Sequence, residues 1–169
     1  MNLNVPHVVA ADTNVCIDLA QGNEWVLDAL ATIRRRLPAS SLLIPPTVSE
    51  ELAWLTEHAE KAAERDGARN FLRQHRTWGI QLLHVVPLGN LYVAKIGERL
   101  LQAALLPAVE GNDAQILAES ATLGCSVLLT SDEHLRTVDF ERLAFELAPF
   151  DVVAPVIATP REIVRRFFR

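Results

Sequence analysis

The sequence predicts an α/β fold in which helices cover a mostly parallel sheet. Short apolar runs rich in Val, Leu and Ile alternate with longer segments of helical period, the order that strand–helix–strand crossovers produce. The 169 residues match the size of one domain, and half of them are hydrophobic, enough to bury a proper core. No internal repeat, low-complexity tract or flexible linker divides the chain, so one domain is expected over 1–169.

HVVAA (7–11) is the first strand, and a helix over 15–20 follows the polar stretch DTN. A helix over 23–36 closes on Arg34, Arg35 and Arg36, cations suited to the carbonyl end of a helix. LLI (42–44) is the second strand. Thr47 then reads as the N-cap of a helix over 48–64, with Glu50 completing a T-x-x-E capping box. Asp66-Gly67 separates it from a helix over 67–77. IQLLHVV (80–86) is the third strand. A break over Pro87 to Asn90 precedes a helix over 91–106, and Glu110-Gly111 precedes one over 113–123. SVLLT (126–130) is the fourth strand and leads into a helix over 132–147. DVVAPVI (151–157) is weaker, because Pro155 has no N–H to give a central ladder and demotes the run to an edge or irregular strand. The helix over 160–168 has Thr159 as cap, Pro160 at its first position and Glu162 completing a box. Its apolar stripe of Ile163, Val164, Phe167 and Phe168 suits core or dimer packing.

Composition excludes several classes. The amino terminus lacks the basic start and long apolar run of a signal peptide, and no apolar stretch approaches the roughly 20 residues of a membrane span, so no membrane association is expected. Cys16 and Cys125 lack zinc-ligand spacing and fit small core residues in a reducing cytoplasm. The five histidines are scattered without a paired nucleophile, and neither a GxGxxG nor a P-loop occurs. Trp25, Trp54 and Trp78 are possible stacking platforms for single-stranded bases, although helical spacing makes Trp54 a packing or partner-groove residue. The formal net charge is −5, so a nucleic-acid substrate would need local compensation, from a bound divalent ion or from the arginines at 34–36 and 161–169.

The informative residues are acids. In open α/β sheets ligands bind beyond the carboxyl ends of the parallel strands. Asp12 ends the first strand and Asp132 follows the fourth; each could also cap the next helix. Glu51 shares a helical face with apolar Val48, Leu52 and Leu55, so it points inward, unlike its neighbour Glu50. Asp113 lies on the stripe of Ile116, Leu117, Ser120 and Ala121, at the amino end of its helix, where the macrodipole also favours an acid. Four carboxylates cannot share a pocket as anions without a cation between them, and an all-oxygen donor set suits Mg2+ or Mn2+. Such a site would serve metal-assisted phosphodiester hydrolysis, with Thr13, Asn14, Thr130 and Ser131 orienting the acids or waters.

The ordered set ADTN with Asp12, SEEL with Glu51, NDAQILAESATLG with Asp113 and LLTSDEHL with Asp132 resembles the PIN-domain nucleases over most of the chain. The resemblance implies a three-layer α/β/α sandwich with a central, mostly parallel sheet. It implies the four acids gathered around Mg2+ or Mn2+, and endonucleolytic cleavage of RNA. A small stand-alone domain of this kind looks most like a VapC-type toxin of a type II toxin–antitoxin pair, which implies a homodimer and an antitoxin partner. Two departures stand out: the segment from about 56 to 110 is longer than compact toxins need, and His134 stands where many relatives place a further acid. The alternatives are a protein-binding module that keeps the fold without catalysis and a housekeeping RNA-processing nuclease with no antitoxin. A phosphoaspartyl enzyme is disfavoured, because ADTN is not a DxDx[TV] motif and no lysine follows SVLLT.

Overall fold

The computed structural model describes residues 6–37, 39–84 and 87–167. Among them the chain runs β1 (Val8–Ala11), α1 (Thr13–Ala20), α2 (Glu24–Arg36), β2 (Ser41–Ile44), α3 (Pro46–His58), α4 (Ala62–Gln74), β3 (Ile80–Leu82), α5 (Pro87–Gln102), α6 (Gly111–Thr122), β4 (Val127–Leu129), α7 (Glu133–Arg136), α8 (Phe140–Leu147), β5 (Val156–Ala158) and α9 (Pro160–Phe167). The five strands form one sheet in the order β3-β2-β1-β4-β5, and every pairing is parallel. Successive residues of β1 point to opposite faces, yet Val9 and Ala10 are both fully buried, so helices cover the sheet on both sides. The result is the expected three-layer α/β/α sandwich. α2 packs on α9, α3 on α4 and α5 on α6.

β1 occupies the middle of the sheet. The chain leaves it toward β2 and β3, then returns to its other side for β4 and β5, so the direction of winding reverses there. That reversal opens a crevice beyond the carboxyl end of β1, where Asp12 begins. β5 is an edge strand that starts just after Pro155, as the missing amide requires. Cys16 and Cys125 are buried free thiols. Residues 85 and 86 of the expected third strand, and the Phe167 and Phe168 side chains, lie outside the described residues.

Several helix boundaries differ from the sequence reading. The segment 48–64 does not continue through Lys61: α3 ends at His58 and α4 begins at Ala62. Asp66-Gly67 is therefore no break. Gly67 is buried inside α4 against α1, where an added Cβ would sit 2.7 Å from Ile17 Cγ2, so this glycine serves close helix approach. Pro87 opens α5 instead of interrupting the chain, consistent with proline's preference for the first turn. The segment 132–147 divides into α7 and α8 because Asp139 caps a new helix, accepting from the Arg142 amide at 2.8 Å. The closing box is as expected: Thr159 N donates to Glu162 at 2.8 Å and Glu162 N to the Thr159 hydroxyl at 3.1 Å.

The box at Thr47 is not formed. α3 starts two residues earlier than expected, at Pro46, and Glu50 is exposed. Thr47 gives its amide (3.0 Å) and hydroxyl (2.8 Å) to Glu119 of α6, so the helix start is satisfied by a distant carboxylate.

Candidate active site

Adjacent parallel strands bring the first and last acids together. The Asp12 amide extends the β1–β4 ladder by donating to Leu129 O at 2.9 Å, and the Thr130 hydroxyl donates to Asp12 Oδ2 at 2.7 Å. Asp12 also caps α1 through the Thr13 amide at 2.7 Å, and Asn14 Nδ2 lies 3.2 Å from Oδ2. Capping and site placement are thus the same geometry. Asp132 caps α7, its Oδ1 accepting from the amides of His134 (2.8 Å) and Leu135 (3.2 Å), while its own amide donates to the Thr130 hydroxyl at 2.9 Å. Thr130 therefore bridges both strand-end acids. Ser131 contributes through its backbone, whose amide donates to Asn14 Oδ1 at 3.1 Å.

The helical acids arrive from two further elements. Glu51 of α3 accepts from the Thr13 hydroxyl on one oxygen and from Asn112 Nδ2, at 2.6 Å, on the other. Asp113 of α6 stands on its buried stripe, and its Oδ2 is buried without a hydrogen-bond partner. Asp12, Glu51, Asp113 and Asp132 all line one open cleft of about 430 Å3, whose rim includes Asn14, Asp18 and Lys61.

The electrostatics follow from this crowding. Burial, opposed by hydrogen bonds from Thr130 and Thr13 and reinforced by the charges of Glu51 and Asp132, pushes Asp12 from 3.8 up to about 6. Burial also pushes Asp113 up to about 7, with Asp132, Asp12, Glu110 and Glu51 adding repulsion. Without a counter-charge this cleft takes up protons at a higher pH than isolated carboxylates do.

A model of the PIN domain family matches residues 9–141. The chain belongs to the PIN domain family. No curated protein matches it. Among solved structures it is similar to a chain of VapBC2 from Rickettsia felis, determined bound to a DNA fragment from their promoter, with a TM-score of 0.61 at 12% identity over 90% of this chain and 98% of that one. At that identity the likeness shows the fold alone.

The residues of this PIN domain fit a hard divalent cation. Carboxylate oxygens dominate the cleft, burial and mutual repulsion raise the pKa values of Asp12 and Asp113, and the orphaned Asp113 Oδ2 has an unfilled acceptor position. A second grouping adjoins it: Glu110, Asp113 and His134 can bring one ligand atom each within 4.8 Å of one another. His134 Nδ1 lies 3.1 Å from Glu110 Oε1 and 4.0 Å from Asp132 Oδ1. The histidine that departs from the family pattern thus stands beside the cleft with an acid of its own.

Sequence reasoning missed Asn112, Glu110 and Glu119. Asn112 carried a usable signal, a side-chain amide next to an inward acid. Glu119 carried one too, since it is an acid inside the otherwise apolar or small run Ile116–Ala121. Trp54, read as a packing or groove residue, is 57% exposed and stacks on His58 at 4.8 Å beside a hollow that Glu51 and Asn112 share. It does not pack in the core.

Proposed function

We propose that this PIN domain is a Mg2+- or Mn2+-dependent endoribonuclease and the toxin of a type II toxin–antitoxin pair. The observation that carries the reading is the convergence of Asp12, Glu51, Asp113 and Asp132 on one cleft at the reversal point of the sheet, two of them with raised pKa values. PIN domains are nucleases, which supports phosphodiester hydrolysis as the reaction. The fold shared with a chain of VapBC2 supports the toxin assignment and an antitoxin as partner; a homodimer as the resting assembly rests on the family resemblance alone.

When bound, the cation supplies charge neutralisation at the scissile phosphate and a lower pKa for the attacking water. The four carboxylates would hold it. Thr130 fixes Asp12 and the Asp132 backbone together, the Thr13 hydroxyl and Asn112 hold the two oxygens of Glu51, and Asn14 ties Asp12 to the Ser131 amide. Asp12, Glu51 and Asp132 keep their positions before substrate arrives, so little reorganisation of these three is left for the reaction itself. Exposed Trp54 and half-buried Leu55 on α3, next to Glu51, offer apolar surface to an antitoxin segment.

The test incubates purified protein, free of any partner, with labelled single-stranded and structured RNAs in Mg2+, Mn2+ or EDTA, beside Asp12→Asn, Glu51→Gln and Glu50→Gln. Metal-dependent cleavage should vanish in the first two and survive in Glu50→Gln, whose carboxylate lies outside the acidic cleft. Absence of both cleavage and calorimetric metal binding would sink the nuclease reading in favour of a non-catalytic PIN-fold binding module. Cleavage by a protein encoded without a neighbouring antitoxin gene would instead favour an RNA-processing nuclease.

A further inference from the structure

Asp18 of α1 lines two hollows: the acidic cleft, and a neighbour of about 280 Å3 whose lining includes Trp25, Ser131, Arg136, Thr159 and Arg161. The second is basic where the first is acidic. Arg136 closes α7, the single turn that Asp132 caps, and its amide donates to Asp132 O at 3.1 Å. The guanidinium-bearing residue is thus four positions from a cleft acid on the same turn. Arg161 is the second residue of α9, and its guanidinium carbon lies 4.9 Å from the centroid of the half-exposed Trp25 ring. Stacking on an indole fixes the plane of a guanidinium and leaves its N–H edge available to a planar or tetrahedral anion.

Neither guanidinium forms an ion pair or a hydrogen bond with a described residue. Two acids oppose them. Asp18 shares the lining, and Glu162 lies near enough to Arg136 to feel its charge, with Oε2 engaged by the Thr159 amide. Among the lining residues, two cations face one acid.

A chain of net charge −5 with an acidic cleft repels every phosphate of an RNA strand, and a cation in the cleft would relieve only the phosphate being cut. We propose that this hollow is a substrate subsite, in which Arg136 and Arg161 together hold a backbone phosphate of single-stranded RNA adjacent to the scissile one. The proposal rests on the ribonuclease reading and deepens it. The strand then runs past Asp18, from the acidic cleft into the basic hollow, and its direction across the site is set by protein charge.

The test measures binding of a short fluorescein-labelled single-stranded RNA by anisotropy in EDTA, which keeps the strand intact, across a series of NaCl concentrations. Wild type is compared with Arg136→Gln/Arg161→Gln, Arg161→Gln, Arg161→Lys and Arg73→Gln, the last removing a charge from α4. Loss of one phosphate contact should weaken binding by the double variant about tenfold and make its log K against log[salt] line shallower by about 0.7. Arg161→Gln should move both quantities in the same direction, Arg161→Lys should keep the salt slope but lose part of the affinity because an ammonium has no stacked planar fork, and Arg73→Gln should stay near wild type. Because Arg136 shares a turn with Asp132, Mn2+ affinity is measured by calorimetry on every variant and should be unchanged. If the protein cuts RNA but the variants bind it as wild type does, or if Arg73→Gln weakens binding equally, the subsite is overturned and the nuclease reading survives. If wild type neither binds nor cuts RNA, both fall together.

Discussion

The amide and the hydroxyl of Thr47 both donate to the carboxylate of Glu119, from which they are 72 residues away in sequence. This pair ties the first turn of α3 to α6, and those two helices carry Glu51 and Asp113. Glu119→Ala removes both bonds and leaves a half-buried amide without a partner. We expect a loss of about 3 kcal/mol of stability, measured by urea unfolding, and weaker metal binding because the two helices lose their tie. Glu50→Gln should change stability by less than about 0.5 kcal/mol, as exposed substitutions do. Equal losses in the two variants would restore the local capping box.

Asp12 provides a pH test on metal-free protein. Its carboxyl titrates near 6 in the folded chain against 3.8 as the ordinary value, so the folded state binds the proton more tightly. Stability contributed by that proton is present below about pH 4 and is lost as pH rises through about 6, a change of about 3 kcal/mol for two pH units. Asp12→Asn has no such titration. The stability difference, variant minus wild type, should therefore increase between about pH 4 and pH 7, and a flat difference in chemical denaturation would show that Asp12 is not strained in the free protein.

Metal and protons compete for the same oxygens. At a concentration 100-fold above its dissociation constant, Mn2+ should stabilise the protein by about 2.7 kcal/mol, raising Tm by roughly 5–10 °C. The rise should be larger near pH 8 than near pH 5.5, because Asp113, pushed up to about 7, is protonated at the lower value. EDTA should reverse it. A Tm shift independent of pH in differential scanning calorimetry would place the ion away from Asp12 and Asp113.

Gly67→Ala should destabilise the protein although alanine is the better helix former. The new Cβ meets Ile17 Cγ2 at 2.7 Å, inside a buried α1–α4 contact, and overpacking of that kind costs about 1–3 kcal/mol. Ile17→Ala should relieve part of it, so the double-mutant cycle has a favourable coupling term. Simple additivity of the two losses would mean that α4 moves away freely.

The sequence reading singled out the sheet, and the four acids that now line one cleft, from local signals. Asp12 and Asp132 follow apolar strands, and the inward faces of Glu51 and Asp113 show in their helical neighbours. The Thr47 box misled because the pattern T-x-x-E describes a contact within one helix, whereas here a buried acid from another helix satisfies the same donors. Asp66-Gly67 misled in the opposite way: a turn dipeptide lies within a helix because the missing side chain lets α1 come close. The division at Asp139 was hidden because one aspartate that caps looks like any other in a polar stretch. The basic hollow was not legible at all, since Trp25, Arg136 and Arg161 are neighbours only after α2, α7 and α9 have packed.

The central place of β1 also governs when the protein becomes whole during synthesis. Its partner on one side, β2, follows within a few dozen residues, but the partner on the other side is β4, which is made only after Cys125. Throughout that interval β1 presents an open row of amides and carbonyls beside the Asp12 turn, an edge that another strand can join. A chain truncated before β4 lacks Asp132 as well. Translation must therefore pass the same point to cover β1 and to complete the acid set, which couples protection of the central strand to the arrival of the chemistry.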